Sequence, residues 1–304
     1  MEKYTLIGHP LGHSMSPFIH AELFKLSGIE AEYDCTDIPG EEFTGRMADL
    51  KKLNGYNITI PYKRDIIPHI DVLDESAKRY NSVNCVHNTE GKAVGYNTDC
   101  DGFLLSVKAR SLCLSGNVFL AGCGGVGRMM AIEAALHGAE ITIGIIPEAA
   151  SAAADLCDEI HFLKPECKTH VKPIDKVTGS FDLIINASPV GMYPKVDACP
   201  VSVELVGRCG GVFDAVYNPV KTKLLQIAES FGKPAVNGTA MLVYQAVKAH
   251  EIWNGSSYTP EQVQDIIEKT NEIIAGDFKC QYIFADSWAA ENQLSESFLH
   301  RNSV

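Results

Sequence analysis

The chain has 304 residues, of which 46% are hydrophobic and 21% charged; 26 Lys and Arg stand against 38 Asp and Glu, for a net charge of -12 and a pI near 5.3. That length predicts two domains, or one domain with a large insertion, each able to bury its own core, and the composition excludes a disordered or low-complexity chain. The charge is wrong for wrapping nucleic acid or lying on anionic lipid, so an anionic ligand has to be captured by a local arrangement of donors.

In chain order, Tyr4 to Ile7 reads as a strand, and Ser16-Pro17 reads as an N-cap with Pro at the first helical position, opening a helix towards Gly28. A strand near Ala31 to Cys35, a helix from about Glu41 to Leu53 and a strand from Tyr56 to Ile60 complete a βαβ rhythm, the mark of an α/β domain. From Asp101 to about Ser111 the chain reads as helical. A second alternating series follows: strand Asn117 to Ala121, helix Val126 to His137, and strands at Glu140 to Ile143, Phe181 to Asn186 and Gly211 to Asp214. Leu242, Ala246, Ala249 and Trp253 form one helical stripe. Thr259-Pro260-Glu261-Gln262 is a capping box ahead of a helix whose buried face is Val263, Ile266, Ile267 and Ile274.

The expected architecture is therefore α/β in two domains. Residues 1–101 are expected to form one domain, joined by returning helices at about 239–275, and residues 102–238 a second; the motifs below mark the first as an α/β substrate domain and the second as a Rossmann-type dinucleotide domain, and the tail 276–304 has no periodicity and no assigned role. The ten cysteines are scattered with no C-x-x-C pair, which reads as free thiols in a reducing compartment. The first residues lack the basic region and apolar run of a signal peptide, and no stretch reaches the ~18 apolar residues of a membrane span. A cytoplasmic enzyme, monomeric or homodimeric, with no nucleic-acid or membrane partner is the expectation.

Four motifs carry chemistry. Gly122-Cys123-Gly124-Gly125-Val126-Gly127 fits G-x-G-x-x-G, and its place between an apolar strand and an amphipathic helix makes it a dinucleotide turn: the glycines allow the turn and close backbone approach, and the helix start stabilises a pyrophosphate. In Asn57-Ile58-Thr59-Ile60-Pro61-Tyr62-Lys63, alternation puts Asn57 and Thr59 on one face, and Lys63 falls just beyond the strand end that faces the ligand crevice in α/β sheets. Asp99, in Gly95-Tyr96-Asn97-Thr98-Asp99, stands at a helix start, where an acid is most often a cap. Ser14 and Ser16 place two hydroxyls at the positive end of a helix, a neutral receptor for a carboxylate. No histidine spacing suggests a metal; His9 and His13 flank Pro10 and Gly12 and do not share a helix face.

Taken together, these motifs resemble the shikimate dehydrogenase family. The matches run in order from Ser14-Met15-Ser16-Pro17 through Asn57 to Lys63, Ser82-Val83-Asn84, Asn97-Thr98-Asp99 and the Gly122 to Arg128 turn. They continue with Asn186 to Met192, Asp214 to Pro219, and Gly238-Thr239-Ala240-Met241 with Gln245. The resemblance implies reversible reduction of 3-dehydroshikimate to shikimate with NADP or NAD. It implies Lys63 and Asp99 as the catalytic pair and Ser14, Ser16, Asn57, Thr59, Asn84, Tyr217 and Gln245 as substrate contacts. Gly122, Gly124, Gly125, Val126, Gly127, Ala187, Val216, Gly238 and Met241 would meet the cofactor.

Two positions depart from the family pattern. Asn81-Ser82-Val83-Asn84 replaces the common Gly-Ala-Val-Asn, and Gly144-Ile145-Ile146 replaces the Asn-Arg-Thr clamp for the 2′-phosphate of NADP. Without that Arg, a charge-assisted hydrogen bond of roughly 1.5–3 kcal/mol is missing, which shifts the expectation towards NAD. A quinate/shikimate dehydrogenase using NAD is the alternative reading, and a non-catalytic metabolite sensor the more distant one.

Overall fold

The computed structural model describes residues 1–12 and 14–276; His13 and the tail beyond Gly276 lie outside the described residues. Two six-stranded sheets organise it. The first contains β1 (Glu2–Gly8), β2 (Ala31–Asp37), β3 (Gly55–Ile58), β4 (Val72–Leu73), β5 (Cys85–Thr89) and β6 (Lys92–Tyr96), in the order β2-β1-β3-β5-β6-β4. β1 runs parallel to both β2 and β3, whereas β5 is antiparallel to β3 and β6. The helices of this part are α1 (Ser16–Ser27), α2 (Met47–Leu50) and α3 (Glu75–Tyr80), and α4 (Thr98–Ala109) leads out of it.

Several expectations shift here. The helix expected from Glu41 to Leu53 shrinks to the four residues of α2 after a 3₁₀ turn at Thr44–Arg46. Only Phe43 and Leu50 of that stretch are well buried, and Gly45 costs about 1 kcal/mol in a helix interior, so little packing opposes the break. Helix α1 begins at Ser16 itself. Met15 occupies the cap position, and the Ser14 hydroxyl accepts the Ser16 N–H at 3.1 Å. The stretch between residues 61 and 97, unassigned from sequence, holds β4, α3 and the β5–β6 hairpin, whose turn residues Glu90 and Gly91 both have positive φ (52° and 74°), the backbone of a tight hairpin turn.

The second sheet is entirely parallel: β7 (Gly116–Ala121), β8 (Ala139–Ile145), β9 (Thr169–Pro173), β10 (Leu183–Asn186), β11 (Val212–Asp214) and β12 (Ala235–Val236), in the order β12-β11-β10-β7-β8-β9. Helices α5 (Gly125–Leu136), α6 (Ala150–Leu163), α7 (Val203–Gly207) and α8 (Lys223–Ser230) cover it. Alternation along the strands sends Val118, Leu120, Ile141 and Ile143 to one face, against Met130 of α5 and Leu156 of α6, and Phe119, Ala121, Ile184 and Val212 to the other, against Leu205 of α7 and Leu224 of α8. This is the doubly wound arrangement, with strand order reversing beside β7.

The chain then returns. α9 (Gly238–Asn254) and α10 (Pro260–Gly276) pack against α1, with Leu242, Ala246, Val263 and Ile266 meeting Ile19 and Leu23. Trp253 stacks on Tyr4 with ring centroids 4.4 Å apart and donates its indole N–H to Val86 O at 2.9 Å, fixing α9 to the first sheet. A polar bridge joins the two sheets' layers: Arg79 and Tyr80 of α3 bond Glu133 of α5, and Arg128 donates back to Tyr80 O at 2.9 Å while bonding Glu159 of α6. Among the described residues, no helix is long and apolar enough to cross a membrane, and the nine cysteines are free thiols.

Candidate active site

The site grows from the C-terminal ends of β1 and β3. Beyond its last paired residue, β3 keeps contact with β1 through Thr59 N–H to Ile7 O (2.9 Å), and His9 N–H reaches Ile60 O (3.0 Å). The approach is close at Gly8, where a Cβ would stand 2.6 Å from the Thr59 methyl and 2.9 Å from Ile60 O, so the crossing requires glycine. Lys63 follows, and its Nζ pairs with Asp99 Oδ2 at 2.7 Å; the lysine side chain is 24% exposed and the aspartate side chain 8%.

Asp99 is the second residue of α4, but it is not the cap expected of an acid there. Asn97 takes that role, accepting the Asp99 N–H at 3.2 Å, which leaves the Asp99 carboxylate for Lys63 at the positive end of the helix. Asn84, just ahead of β5, ties three segments together. Its Oδ1 accepts the Thr98 N–H at 2.7 Å, and its Nδ2 donates to Thr98 Oγ1 at 3.1 Å and to Gln245 Oε1 of α9 at 3.0 Å.

One pocket collects Ser14, Ser16, Asn57, Thr59, Lys63, Asn84, Asp99 and Gln245, with Leu242 and Ala246 of α9 as its apolar wall. All the predicted substrate contacts except Tyr217 line it. Tyr217 is buried behind it in the cluster of Met15, Ile19 and Leu242. The sequence missed His9 and His20, which also line the pocket. The signal for His20 was present, since it lies four residues after Ser16 and hence on the same face of α1. His9 bonds Asp37 at 2.6 Å, and Asp37 accepts the Leu11 N–H at 2.7 Å, anchoring the loop at the pocket rim; the bond from His9 holds the Asp37 carboxyl below its ordinary range.

Behind the pocket, His20 Nδ1 lies 3.0 Å from His250 Nε2, and His250 Nδ1 lies 2.8 Å from the Tyr258 hydroxyl. Both imidazoles are fully buried among Phe24, Tyr33 and Trp253. Burial depresses both, His250 to about 3 and His20 well below its ordinary value with help from the neighbouring ring.

The predicted cofactor residues gather at the C-terminal ends of β7, β10 and β11. Gly122 turns with φ at +92°, and a Cβ on Gly127 would run into Gly122 O, so the α5 start can sit tightly under the turn only as glycine. α5 starts at Gly125 after Gly124 with no side-chain cap, leaving its first N–H groups for a ligand. Ala187 packs against both Gly122 and Gly127. Gly238 lies directly against Ala215 and Val216 and donates its N–H to Val216 O at 3.1 Å. Next to it, Thr239 Oγ1 is buried without a hydrogen-bond partner. Met241 packs with Cys100 and Phe103, just after Asp99, so the two halves of the site meet at α4 and α9. A glycine cradle under an uncapped helix start, at the strand-order reversal, fits a dinucleotide.

Residues 6–86 match the model of the shikimate dehydrogenase substrate binding domain. A shikimate dehydrogenase (NADP(+)) of Clostridium beijerinckii is 35% identical over 256 residues, covering 83% of this chain and 92% of its own. The chain belongs to the shikimate dehydrogenase family. Shikimate 5-dehydrogenase from Thermus thermophilus, solved with NADP(H) and shikimate, superimposes with a TM-score of 0.78 at 30% identity, covering 89% of this chain and all of that one. The Listeria monocytogenes family member, solved with shikimate and NAD, gives 0.78 at 28% identity over 88% of this chain and 96% of its own. Among the described residues, no group of three or more His, Cys, Asp or Glu side chains could hold a metal ion.

The histidine pair has a consequence for stability. Both groups are neutral when folded and take up protons below about pH 6.5 when unfolded, so stability is complete above that pH and falls as the pH drops through it, by about 1.4 kcal/mol per pH unit for each. Urea unfolding between pH 7.5 and 4.5 should therefore show a steeper loss for the wild type than for His250→Phe; equal slopes would mean that the pair does not titrate on unfolding.

Proposed function

We propose that this family member catalyses the reversible reduction of 3-dehydroshikimate to shikimate with a nicotinamide dinucleotide, and that it works in the cytoplasm. Residues 1–101 with 239–275 form the substrate domain and residues 102–238 the nucleotide domain. The observation that carries the reading is the Lys63–Asp99 pair, set in the same pocket as two serine hydroxyls at the start of α1 and the amides of Asn57, Asn84 and Gln245. Ser14 and Ser16 receive the substrate carboxylate, and the amides with Thr59 hold the ring hydroxyls. Such polar positioning selects against analogues lacking a hydroxyl, because buried partners would be left unpaired.

Gly238 and Met241 would hold the nicotinamide end of a dinucleotide, which when bound would supply the hydride chemistry. In the direction of reduction, Lys63 donates a proton to the developing alkoxide and stabilises its charge; in oxidation it receives that proton. Asp99 holds the ammonium in place through the 2.7 Å bond, leaving its other two N–H groups for the reacting oxygen.

The β8 end favours NAD. A Cβ at Gly144 would lie 2.5 Å from the Phe119 ring, Ile145 and Ile146 are half-buried, and the next charge is the exposed Glu148. Lys172, registered beside Gly144 on β9, is the nearest cation along the sheet.

Replacing Lys63 by Ala should lower kcat about 10²- to 10⁴-fold while changing the shikimate KM far less, measured by steady-state oxidation of shikimate; near wild-type turnover would remove Lys63 from the chemistry. For the cofactor, calorimetry should show 2′,5′-ADP binding no tighter than 5′-ADP, and Ile145→Arg should tighten 2′,5′-ADP about tenfold or more. A wild-type preference for the 2′-phosphate would instead assign that role to another cation.

A further inference from the structure

We infer that Asp214, a fully buried carboxylate that the proposed proton transfer does not use, is the positioning residue for the nicotinamide half of the dinucleotide site: through Asn186, Val216 and Thr222 it fixes the strand ends and the helix start on which that half would lie. The inference rests on the proposed reading of Ala187, Val216 and Gly238 as cofactor contacts.

Asp214 ends β11 and Asn186 ends β10, and the parallel register sets them side by side, so their side chains rise from the same face of the sheet. Asp214 Oδ1 accepts the Asn186 Nδ2–H at 2.9 Å and the Val216 N–H at 3.0 Å, and Oδ2 accepts the Thr222 hydroxyl at 2.6 Å. Thr222 is also the cap of α8, accepting the Leu225 N–H at 3.3 Å, which ties the carboxylate to a helix. Each bond reaches further. Asn186 Oδ1 accepts the Ser188 N–H at 3.1 Å and the Ser188 hydroxyl at 2.7 Å, setting the turn in which Ala187 packs against Gly122 and Gly127. Val216, pinned at its N–H, accepts the Gly238 N–H on its own O at 3.1 Å and so sets the start of α9.

Three donors converge on Asp214, and an ionised carboxylate takes all of them on two oxygens. These donors are neutral, so they offset only part of the cost of burial, and burial pushes the carboxyl up to about 7 against their pull. Apolar groups of the same shape would fill the space without that cost. What the carboxylate adds is the placing of Ser188, Val216 and Thr222, which lie beyond the strand ends, where no ladder bond holds them. The effect is confined to one half of the site. The end of β8, where the adenosine ribose would lie, is three places from β11 in the sheet order.

The decisive experiment is calorimetric titration of the full-length protein and its variants with NADH and with 5′-ADP, which carries the adenine half alone. Asp214→Ala should weaken NADH binding about tenfold or more and leave 5′-ADP within about twofold. Asp214→Asn, whose one oxygen can keep the Asn186 and Val216 bonds while Thr222 turns from donor to acceptor, should bring NADH back to within about threefold of the wild type. Thr222→Val removes only the third bond and should weaken NADH about threefold, again sparing 5′-ADP; this variant carries the test where the alanine variant does not fold. Equal losses for the two ligands, or an NADH affinity unchanged in Thr222→Val, would overturn the inference. A wild type that binds both ligands but does not oxidise shikimate would instead overturn the proposed function, while the difference between the two ligands would still decide the role of Asp214.

Discussion

The bond between Lys63 Nζ and Asp99 Oδ2 joins two stretches of chain that have no local reason to meet. Lys63 follows a strand end of the first sheet, and Asp99 opens the helix that leaves it. They face each other because Asn84 holds the α4 start by the Thr98 N–H and holds α9 by Gln245, while Asn97 caps α4 and releases the aspartate from that duty. An unpaired charge in so enclosed a place would be costly, so lysine and aspartate are each retained by the other. The two domains are arranged around this pair: α4 carries Asp99 towards the second sheet, and α9 brings Gly238 and Met241 back to it.

In the proposed function, anion capture in a chain of net charge -12 needs no basic patch. Ser14 and Ser16 offer neutral donors at the start of α1, and the uncapped start of α5 does the same beneath the Gly122–Gly127 cradle. Both use the partial positive charge of a helix end, which acts locally whatever the overall charge. At the end of β8, Gly144 is followed by the half-buried, hydrophobic Ile145 and Ile146, with Lys172 registered beside it on β9.

Much of this was legible in the sequence because the motifs sit at strand ends and helix starts, where local rules are strong. The glycine turn, the Asn57–Lys63 strand end and Asp99 all fell where predicted, and eight of the predicted substrate and catalytic side chains share one pocket. Tyr217 is the exception, packed behind the wall. What could not be read depends on long-range contacts. The role of Asn97 as cap in place of Asp99 appears only once Lys63 is beside the carboxylate. The His20–His250 pair joins residues 230 positions apart. The helix expected at Glu41 to Leu53 failed because too little of it is buried to carry Gly45.

The most direct test of the central claim is a crystal structure of the protein with shikimate and oxidised dinucleotide. The account places one ring hydroxyl of shikimate within hydrogen-bond distance of Lys63 Nζ, its carboxylate on Ser14 and Ser16, and the nicotinamide against Gly238 and Met241. A ring bound with its carboxylate at Lys63, or a substrate outside the pocket, would contradict it.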